Sequence, residues 1–511
     1  MGDWKLERGA ASPAAESLLA RCRPFLDAPH AAVEESDDAE ILKEGTRMIL
    51  RVPEAGVLKI VKPRSIRRAL SWLFMPSRLA EEFDTTDAAA RNGLPVPRPL
   101  LVAEQRAWGL RRGVALLCEG LPDVITLDQF IRGACPPPGR LRKYGDDVCA
   151  LLRDLGTLVG RLHCAGGIHG DLHPHNILVT AEPPRRLFLV DWPYGFFLGQ
   201  VRPPSRLRQR LALRRAARHC NVSVAELRAA IRAWGRGEGC SPTFRAIQQV
   251  DLVKLAEGLV RSGTPFRPLL HCVRAYMAQV GAAADEQRQV IAALAGACVA
   301  RLEKHIRRIL RAAADGTRGI TVRREGQGQW CLRRGYELGE VRDAVAAAEA
   351  AGRLEVLRQL PDVRTIWRVG CAVAYAALPI RTLAACFLGD REGSDVLVLE
   401  RPQVPLERAR LRGDVDVARL ASFVRLYHTF GFRFRRFDGD TLRRQPAEAG
   451  PVGFRQGCGY LLHDVAAVSF EPGTPTGDSA GQVAAWVREA CGVAQTDELR
   501  ARCSRRLLFS L

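Results

Sequence analysis

Lysine is the residue this chain most nearly does without: Lys5, Lys43, Lys59, Lys62, Lys143, Lys254 and Lys304 are seven among 76 basic residues, and the rest are arginine. A G+C-rich genome produces that skew, so a lysine at any one place is more telling here than usual. Long apolar runs are missing too. The longest stretch, residues 369–380, is closed off by Arg368 and Arg381 and contains Pro379, short of the ~20 residues that span a bilayer as a helix. The opening Met1-Gly-Asp-Trp-Lys-Leu-Glu-Arg8 has neither the apolar centre nor the cleavage site of a signal peptide. Its sixth residue is Leu6 rather than the Ser or Thr of a myristoylation signal. Fifteen cysteines form no Cys-x-x-Cys pair, which argues for reduced, buried thiols and against a disulfide frame or zinc site. These absences set the expectation of a cytoplasmic protein.

What is present is an ordinary globular composition, 47% hydrophobic and 26% charged, over 511 residues, room for roughly two to four domains. The net charge of +20 gives a positive field that attracts nucleic acid, anionic lipid or phosphorylated substrates. Nucleic acid is the weakest of these, because no recognition motif appears and the arginines are not interleaved with aromatics. Residues 38–125 alternate like strands around one helical stretch, and residues 126–314 are mainly helical. A break at Asp315-Gly-Thr-Arg-Gly319 precedes a second strand-then-helix succession. The expected division is an N-terminal extension (1–37), a first domain (38–314) and a second (320–511).

The decisive stretch is Gly167-Ile-His-Gly-Asp-Leu-His-Pro-His-Asn-Ile-Leu-Val179, followed by Leu187-Phe-Leu-Val-Asp191-Trp-Pro193. Phosphoryl transfer needs a carboxylate beside the attacking hydroxyl and Mg²⁺ to offset phosphate charge. His-x-Asp-x-x-x-x-Asn offers both: Asp171 as the base and Asn176 as an oxygen for Mg²⁺. Asp191, fifteen residues after Asn176 at the end of an apolar strand, places a second oxygen ligand for the metal.

These motifs resemble the kinase-like superfamily, with Asp191-Trp-Pro where protein kinases carry Asp-Phe-Gly. The resemblance implies an α+β, protein-kinase-like bilobal fold, with a β-rich N-lobe and a helical C-lobe, and the use of ATP with Mg²⁺. It also implies a strand lysine on the α- and β-phosphates. Lys59 in Gly56-Val-Leu-Lys-Ile-Val61 fits, and is preferred to Lys62 for its apolar neighbours. Glu82, next to Phe83, is its expected partner, with Glu81 the alternative. Leu116-Leu-Cys-Glu-Gly-Leu121 fits the adenine hinge through Glu119 and Leu121, and Gly45 in Lys43-Glu-Gly-Thr-Arg47 fits the loop over the phosphates.

The base is preceded by Gly170 rather than the Arg of regulated protein kinases, and no Ala-Pro-Glu follows Asp191. Both departures favour a small-molecule or sugar kinase. Asp171-Leu-His-Pro-His-Asn-Ile-Leu178, with Pro76-Ser-Arg-Leu-Ala-Glu-Glu-Phe83 and Leu94-Pro-Val-Pro-Arg-Pro-Leu100, resembles the bacterial lipopolysaccharide kinase family over residues 40–200. That resemblance implies phosphorylation of Kdo or heptose at the cytoplasmic membrane face, hence a lipid-linked sugar acceptor. Aminoglycoside phosphotransferases share His-Gly-Asp-Leu-His-Pro. Residues 64–78 carry Arg64, Arg67, Arg68 and Arg78 beside Leu70, Trp72, Leu73 and Phe74, a composition suited to an anionic membrane surface; residues 202–218 form a second arginine run.

In the second half, Arg425 to Leu442 set beneath Arg161 to Leu178 puts Arg433-Phe-Arg435 where the base motif would be and Asp440 in place of Asn176. Tyr460-Leu-Leu-His-Asp464 falls near Phe188-Leu-Val-Asp191, and no lysine follows Lys304. The expectation is a degenerate, silent kinase-like copy. The rival readings are a protein or aminoglycoside-type kinase, and a non-catalytic scaffold in which both halves only bind.

Overall fold

The computed structural model describes residues 4–9, 13–36, 38–44, 47–63, 72, 77–107, 110–133, 144–200, 213–214, 216–218, 222–236, 242–262, 264, 266–316, 319–347, 354–358, 360, 362–376, 378, 383–390, 394–400, 407–408, 420, 423–424, 427–435, 437, 442–444, 460–462, 467–472 and 485. Two units emerge. The first comprises Met1–Phe130, Leu151–Leu255 and His271–Ala283; the second comprises Ile131–Ala150, Ala256–Leu270 and Ala284–Leu511.

The first unit opens with β1 (Trp4–Arg8), α1 (Pro13–Asp27) and α2 (Pro29–Glu34). These are followed by β2 (Glu40–Lys43), β3 (Met48–Val52), β4 (Gly56–Val61), α3 (Arg78–Arg91), β5 (Pro99–Ala107) and β6 (Leu110–Cys118). The strands form one antiparallel sheet in the order β1-β5-β6-β4-β3-β2. Strand alternation sorts its side chains. Leu58, Ile60, Ala115 and Leu117 pack with Phe25 and Leu26 of α1, while Leu116, Val114 and Cys118 meet Leu79 and Ala80 of α3. The described residues of 1–37 are therefore no separate extension: β1 pairs with β5, and Trp4, Cys22 and Ala32 lie in the sheet's core. Ser77 caps α3 by accepting from Ala80 N at 3.0 Å, which starts the helix where Glu82 faces the sheet.

Next come β7 (Val124–Thr126), α4 (Leu127–Gly133), α5 (Tyr144–Cys164), β8 (Gly167–Ile168), β9 (Ile177–Thr180), β10 (Leu187–Leu189) and β11 (Phe196–Phe197). The helices α6 (Val224–Gly235), α7 (Pro242–Ser262) and α8 (Phe266–Gln279) follow. β7, β9 and β10 form a three-stranded sheet, and β8 pairs with β11. The loop between β8 and β9 holds Asp171, and Asp191 lies two residues past β10.

The second unit contains α9 (Ala284–Ala312), β12 (Ile320–Arg324), β13 (Gly328–Arg333), α10 (Leu338–Ala346), β14 (Leu354–Arg358), α11 (Val363–Tyr375), β15 (Leu383–Gly389) and β16 (Val396–Glu400). Short strands β17 (Glu407–Arg408), β18 (Phe432–Phe434), β19 (Leu442–Arg444), β20 (Tyr460–Leu462) and β21 (Val468–Phe470) complete it. The sequence reading assigned α9 to the first domain, but its end bonds into the second unit, where Ala313 O accepts from Trp367 Nε1 of α11 at 3.1 Å. The five-stranded sheet runs β12-β13-β15-β16-β14. Residues 369–380, the longest apolar stretch, begin inside α11, where Val369, Cys371, Ala372 and Val373 are buried. Among the described residues no helix is long and apolar enough to cross a membrane, and nine free cysteines are buried except Cys164.

Candidate active site

Lys59 projects from β4 on the α3 side of the sheet because its neighbours Leu58 and Ile60 take the other face. It forms an ion pair with Glu82 Oε1 of α3, and its Nζ lies 3.4 Å from Asp191 Oδ1. Burial alone would lower the Lys59 pKa; the facing Glu82 and Asp191 carboxylates outweigh it and raise it, so the ammonium stays charged. Asp191, at φ +62, is in the left-handed region that a short polar side chain tolerates. Burial pushes its carboxyl up, but Lys59 and Arg47 prevail and hold it below its usual range. Arg47 NH1 sits 2.8 Å from Asp191 Oδ1 and 3.7 Å from Glu82 Oε2.

The four residues chosen from sequence, Lys59, Glu82, Asp171 and Asn176, fall in one unit with Asp191, and the choice of Glu82 over Glu81 matches the ion pair. Glu119 follows β6, and its N–H donates to Arg98 O at 2.8 Å; Leu121 is two residues on. Gly56 lies against the end of β6, since a Cβ there would stand 2.1 Å from Cys118 O. Gly45 lies outside the described residues, as do most of residues 64–78 and 202–218. Of the first basic segment, Trp72 packs on the α3 core cluster and Arg78 NH1 reaches Tyr194 OH at 3.4 Å. Those two are engaged within the fold rather than free to meet lipid.

The loop that carries Asp171 is held from below by α7. Asp251, fully buried, accepts from His169 N at 2.7 Å and Gly170 N at 2.9 Å. Asn176 Nδ2 donates to Asp171 O at 2.9 Å, tying the two ends of the motif. Burial disfavours a charged His169 and lowers its pKa. The neutral ring donates from Nε2 to Val190 O at 3.1 Å and accepts from Asp171 N at Nδ1, 3.4 Å away. Around the Asp171 carboxylate, His173 Nε2 lies 3.7 Å from Oδ2 and Lys254 Nζ 3.6 Å from Oδ1. Burial raises the Asp171 pKa, yet His173 and Lys254 overcome that and hold it at about 2. It is therefore an ionised acceptor across the neutral range.

Sequence reasoning missed Asp251, Lys254 and Arg47. Asp251 is open to a direct test. Asp251→Ala should destabilise the protein by about 1–3 kcal/mol for each of the two amides left unpaired, read as a lower urea midpoint of the full chain. Asp251→Asn, with one acceptor oxygen, should fall between; a wild-type midpoint for the alanine variant would show that the clamp carries no stability.

An antiparallel sheet with one buried Lys–Glu pair across to a helix, and beneath it a base loop set between short strand pairs, defines a protein-kinase-like fold. Within it, residues 58–195 match the lipopolysaccharide kinase (Kdo/WaaP) family. The chain is 33% identical over 174 residues to a 3-deoxy-D-manno-octulosonic acid kinase of Xanthomonas axonopodis pv. citri (strain 306), covering 32% of this chain and 62% of that protein. It is 30% identical over 119 residues to the enzyme of the same description from Xylella fastidiosa (strain M12), covering 23% of this chain and 42% of that one. The chain thus spans about half the length of these relatives. A solved structure, WaaP in complex with acyl carrier protein, aligns with 58% of this chain and 94% of its own at 19% identity and a TM-score of 0.32, a likeness too loose to carry weight.

Proposed function

We propose that the first unit is an ATP-dependent phosphotransferase acting on a sugar hydroxyl of the lipopolysaccharide core or another lipid-linked glycan. The observation that carries the chemistry is the placing of Asp171, ionised and held on both carboxylate oxygens, in the same unit as the Lys59–Glu82–Asp191 cluster. The acceptor class rests on the family matched by residues 58–195.

The donor set suits ATP with Mg²⁺. Asp191 is an ionised carboxylate, and Asn176, whose Nδ2 is spent on Asp171 O, offers its Oδ1; hard oxygens of this kind suit Mg²⁺. When bound, ATP with Mg²⁺ supplies the phosphoryl group and offsets its charge. Lys59, kept charged by Glu82, holds phosphate oxygens. Asp171 orients the acceptor hydroxyl and takes its proton as the new bond forms. Arg47, now on Asp191, is a further cation that can turn to phosphate.

The second unit reads best as a degenerate copy. Its β14-α11-β15-β16 repeats β4-α3-β5-β6, with strands in the matching orders β14-β16-β15 and β4-β6-β5. Sheets β17-β19-β20 and β18-β21 echo β7-β9-β10 and β8-β11. The hairpin β12-β13 lies along β15 instead of β14, so among the described residues no hairpin covers the strand that would hold phosphates. The register is shifted by one from the sequence alignment: Glu471 N bonds Gly431 O at 2.7 Å as Leu198 N bonds Gly166 O at 2.9 Å, which sets His428 beneath His163. Either register puts an arginine, Arg435 or Arg436, at the place of the base; Arg425, Asp440 and Asp464 lie outside the described residues. This unit supplies no phosphotransfer in our reading, and its role is binding.

Location at the inner membrane face follows from a lipid-linked acceptor. The test is transfer of labelled γ-phosphate from ATP by the full chain to three acceptors: Kdo- and heptose-bearing lipid in vesicles, an aminoglycoside, and a protein. Label on the lipid is expected. Label on the aminoglycoside or protein alone would overturn the acceptor class.

A further inference from the structure

The loop from His169 to Asn176 contains the base but neither lysine nor arginine. A base beside a transferring phosphoryl group works in a field of negative charge, and its carboxylate must still point at the hydroxyl. We propose that Lys254, on α7, is the positioning residue that does this: its compact ammonium orients the Asp171 carboxylate and supplies the cation that the loop lacks. The inference rests on the reading of Asp171 as the base and names the group that sets its direction.

Three observations support it. First, Lys254 and Asp251 are three residues apart on one helix face, and both engage the same residue, Gly170, through the two peptide groups that flank its Cα. Asp251 Oδ1 accepts from Gly170 N at 2.9 Å, while Lys254 Nζ donates to Gly170 O. The residue before the base is thereby gripped at both its donor and its acceptor. Gly170 leaves little slack: it holds φ +75, and a Cβ there would stand 2.6 Å from Tyr194 O.

Second, the same ammonium reaches onward to Asp171 Oδ1 at 3.6 Å, while His173 attends Oδ2 at 3.7 Å. Each oxygen therefore has its own neighbour, and rotation of the carboxylate would lose both. The charged and titratable groups around it are Lys254 from α7 and His173 and His169 from the loop.

Third, residue type matters. In a chain where arginine outnumbers lysine about tenfold, a lysine side chain only 13% exposed holds a place where a point charge can serve a carbonyl and a carboxylate at once. A planar guanidinium has a different shape and a fixed fork of donors. A cation this near also makes Asp171 a weaker base, so its benefit comes from geometry and phosphoryl charge rather than from raised basicity.

Intrinsic hydrolysis of ATP, with water as acceptor, is the assay, because it needs the base but no assumption about the sugar. Lys254→Met keeps a linear side chain of similar volume and removes the charge. It should lower kcat by about 10²-fold, the scale of a ~1 Å misplacement at a reacting centre, with the KM for ATP within about twofold of wild type. In Lys254→Ala, propylammonium should restore part of the rate and propanol should not. Wild-type kcat in Lys254→Met beside an inactive Asp171→Ala would overturn the role of Lys254 alone, as would a defect confined to KM or equal recovery with propanol. Full activity in Asp171→Ala would instead remove the base reading beneath it. If the alanine variant fails to fold, the methionine variant and its kcat-against-KM split still decide.

Discussion

Asp171→Ala should lower turnover by at least ~10²-fold, the lower bound for loss of a positioned general base, while ATP still binds. The split follows from where the residue sits. Asp171 belongs to the loop between β8 and β9, whose backbone is held by Asp251 and by Asn176. In the proposed reading phosphate binding belongs to β4 and α3, where Lys59 and Glu82 pair. Removing one carboxylate leaves the hydrogen bonds from the loop's backbone N–H groups to Asp251 in place, so the fold and the Lys59–Glu82 pair should survive. Asp171 also sits near about pKa 2 in the folded chain, below the ordinary aspartate value of about 3.9. A depressed folded-state value stabilises above the unfolded pKa and loses that contribution as pH falls through the folded one. At neutral pH the alanine variant therefore forgoes a small stabilising contribution, and its melting should be followed alongside its rate. Turnover near wild type, with ATP affinity unchanged, would take Asp171 out of the mechanism.

The two lobes of the site differ in how openly the sequence announces them. Asp171, Asn176 and Asp191 lie within 21 residues and two strand-like runs, so the proposed chemistry rests on local spacing. Lys59 and Glu82 were legible because a strand and the next helix each offered few ionic residues on an apolar face. Asp251 and Lys254 were hidden because α7 is apolar or neutral around much of its circumference and carries no motif. The available signal was a lysine in a lysine-poor chain beside an aspartate, four residues before Leu255 and flanked by Val250, Leu252 and Val253. Arg47 was passed over because a charge in a hairpin looks solvated. The edge strand β1 was missed for another reason. Five residues with Trp4 and Leu6 facing inward make too short an alternation to separate from coil, and its pairing with β5 spans about a hundred residues.

Lys59→Arg should be nearly as damaging as loss of the base, although the charge is kept. Lys59 lies in the middle of β4, opposite Ile49 on β3 and Leu116 on β6, and is buried. Its ammonium meets Glu82 Oε1 and stands 3.4 Å from Asp191 Oδ1. The space beyond is already held by the guanidinium of Arg47, 2.8 Å from that same Asp191 oxygen. A second guanidinium would have to enter a packed strand position and displace the first. Overpacking of this kind costs about 1–3 kcal/mol, and it moves the cation away from where phosphate oxygens must meet it. A ~1 Å error there is worth about 10²-fold in rate, so kcat/KM for ATP should fall by that order, with both terms affected. Lys59→Met separates charge from shape. It leaves the Glu82 carboxylate without its buried partner, a change worth about 3–5 kcal/mol when a buried pair is broken, and should show first as a fall in melting temperature. Wild-type KM and turnover in Lys59→Arg, with an unshifted melting temperature in Lys59→Met, would mean that the phosphate-binding cation is another residue, and Arg47 would be the one to examine next.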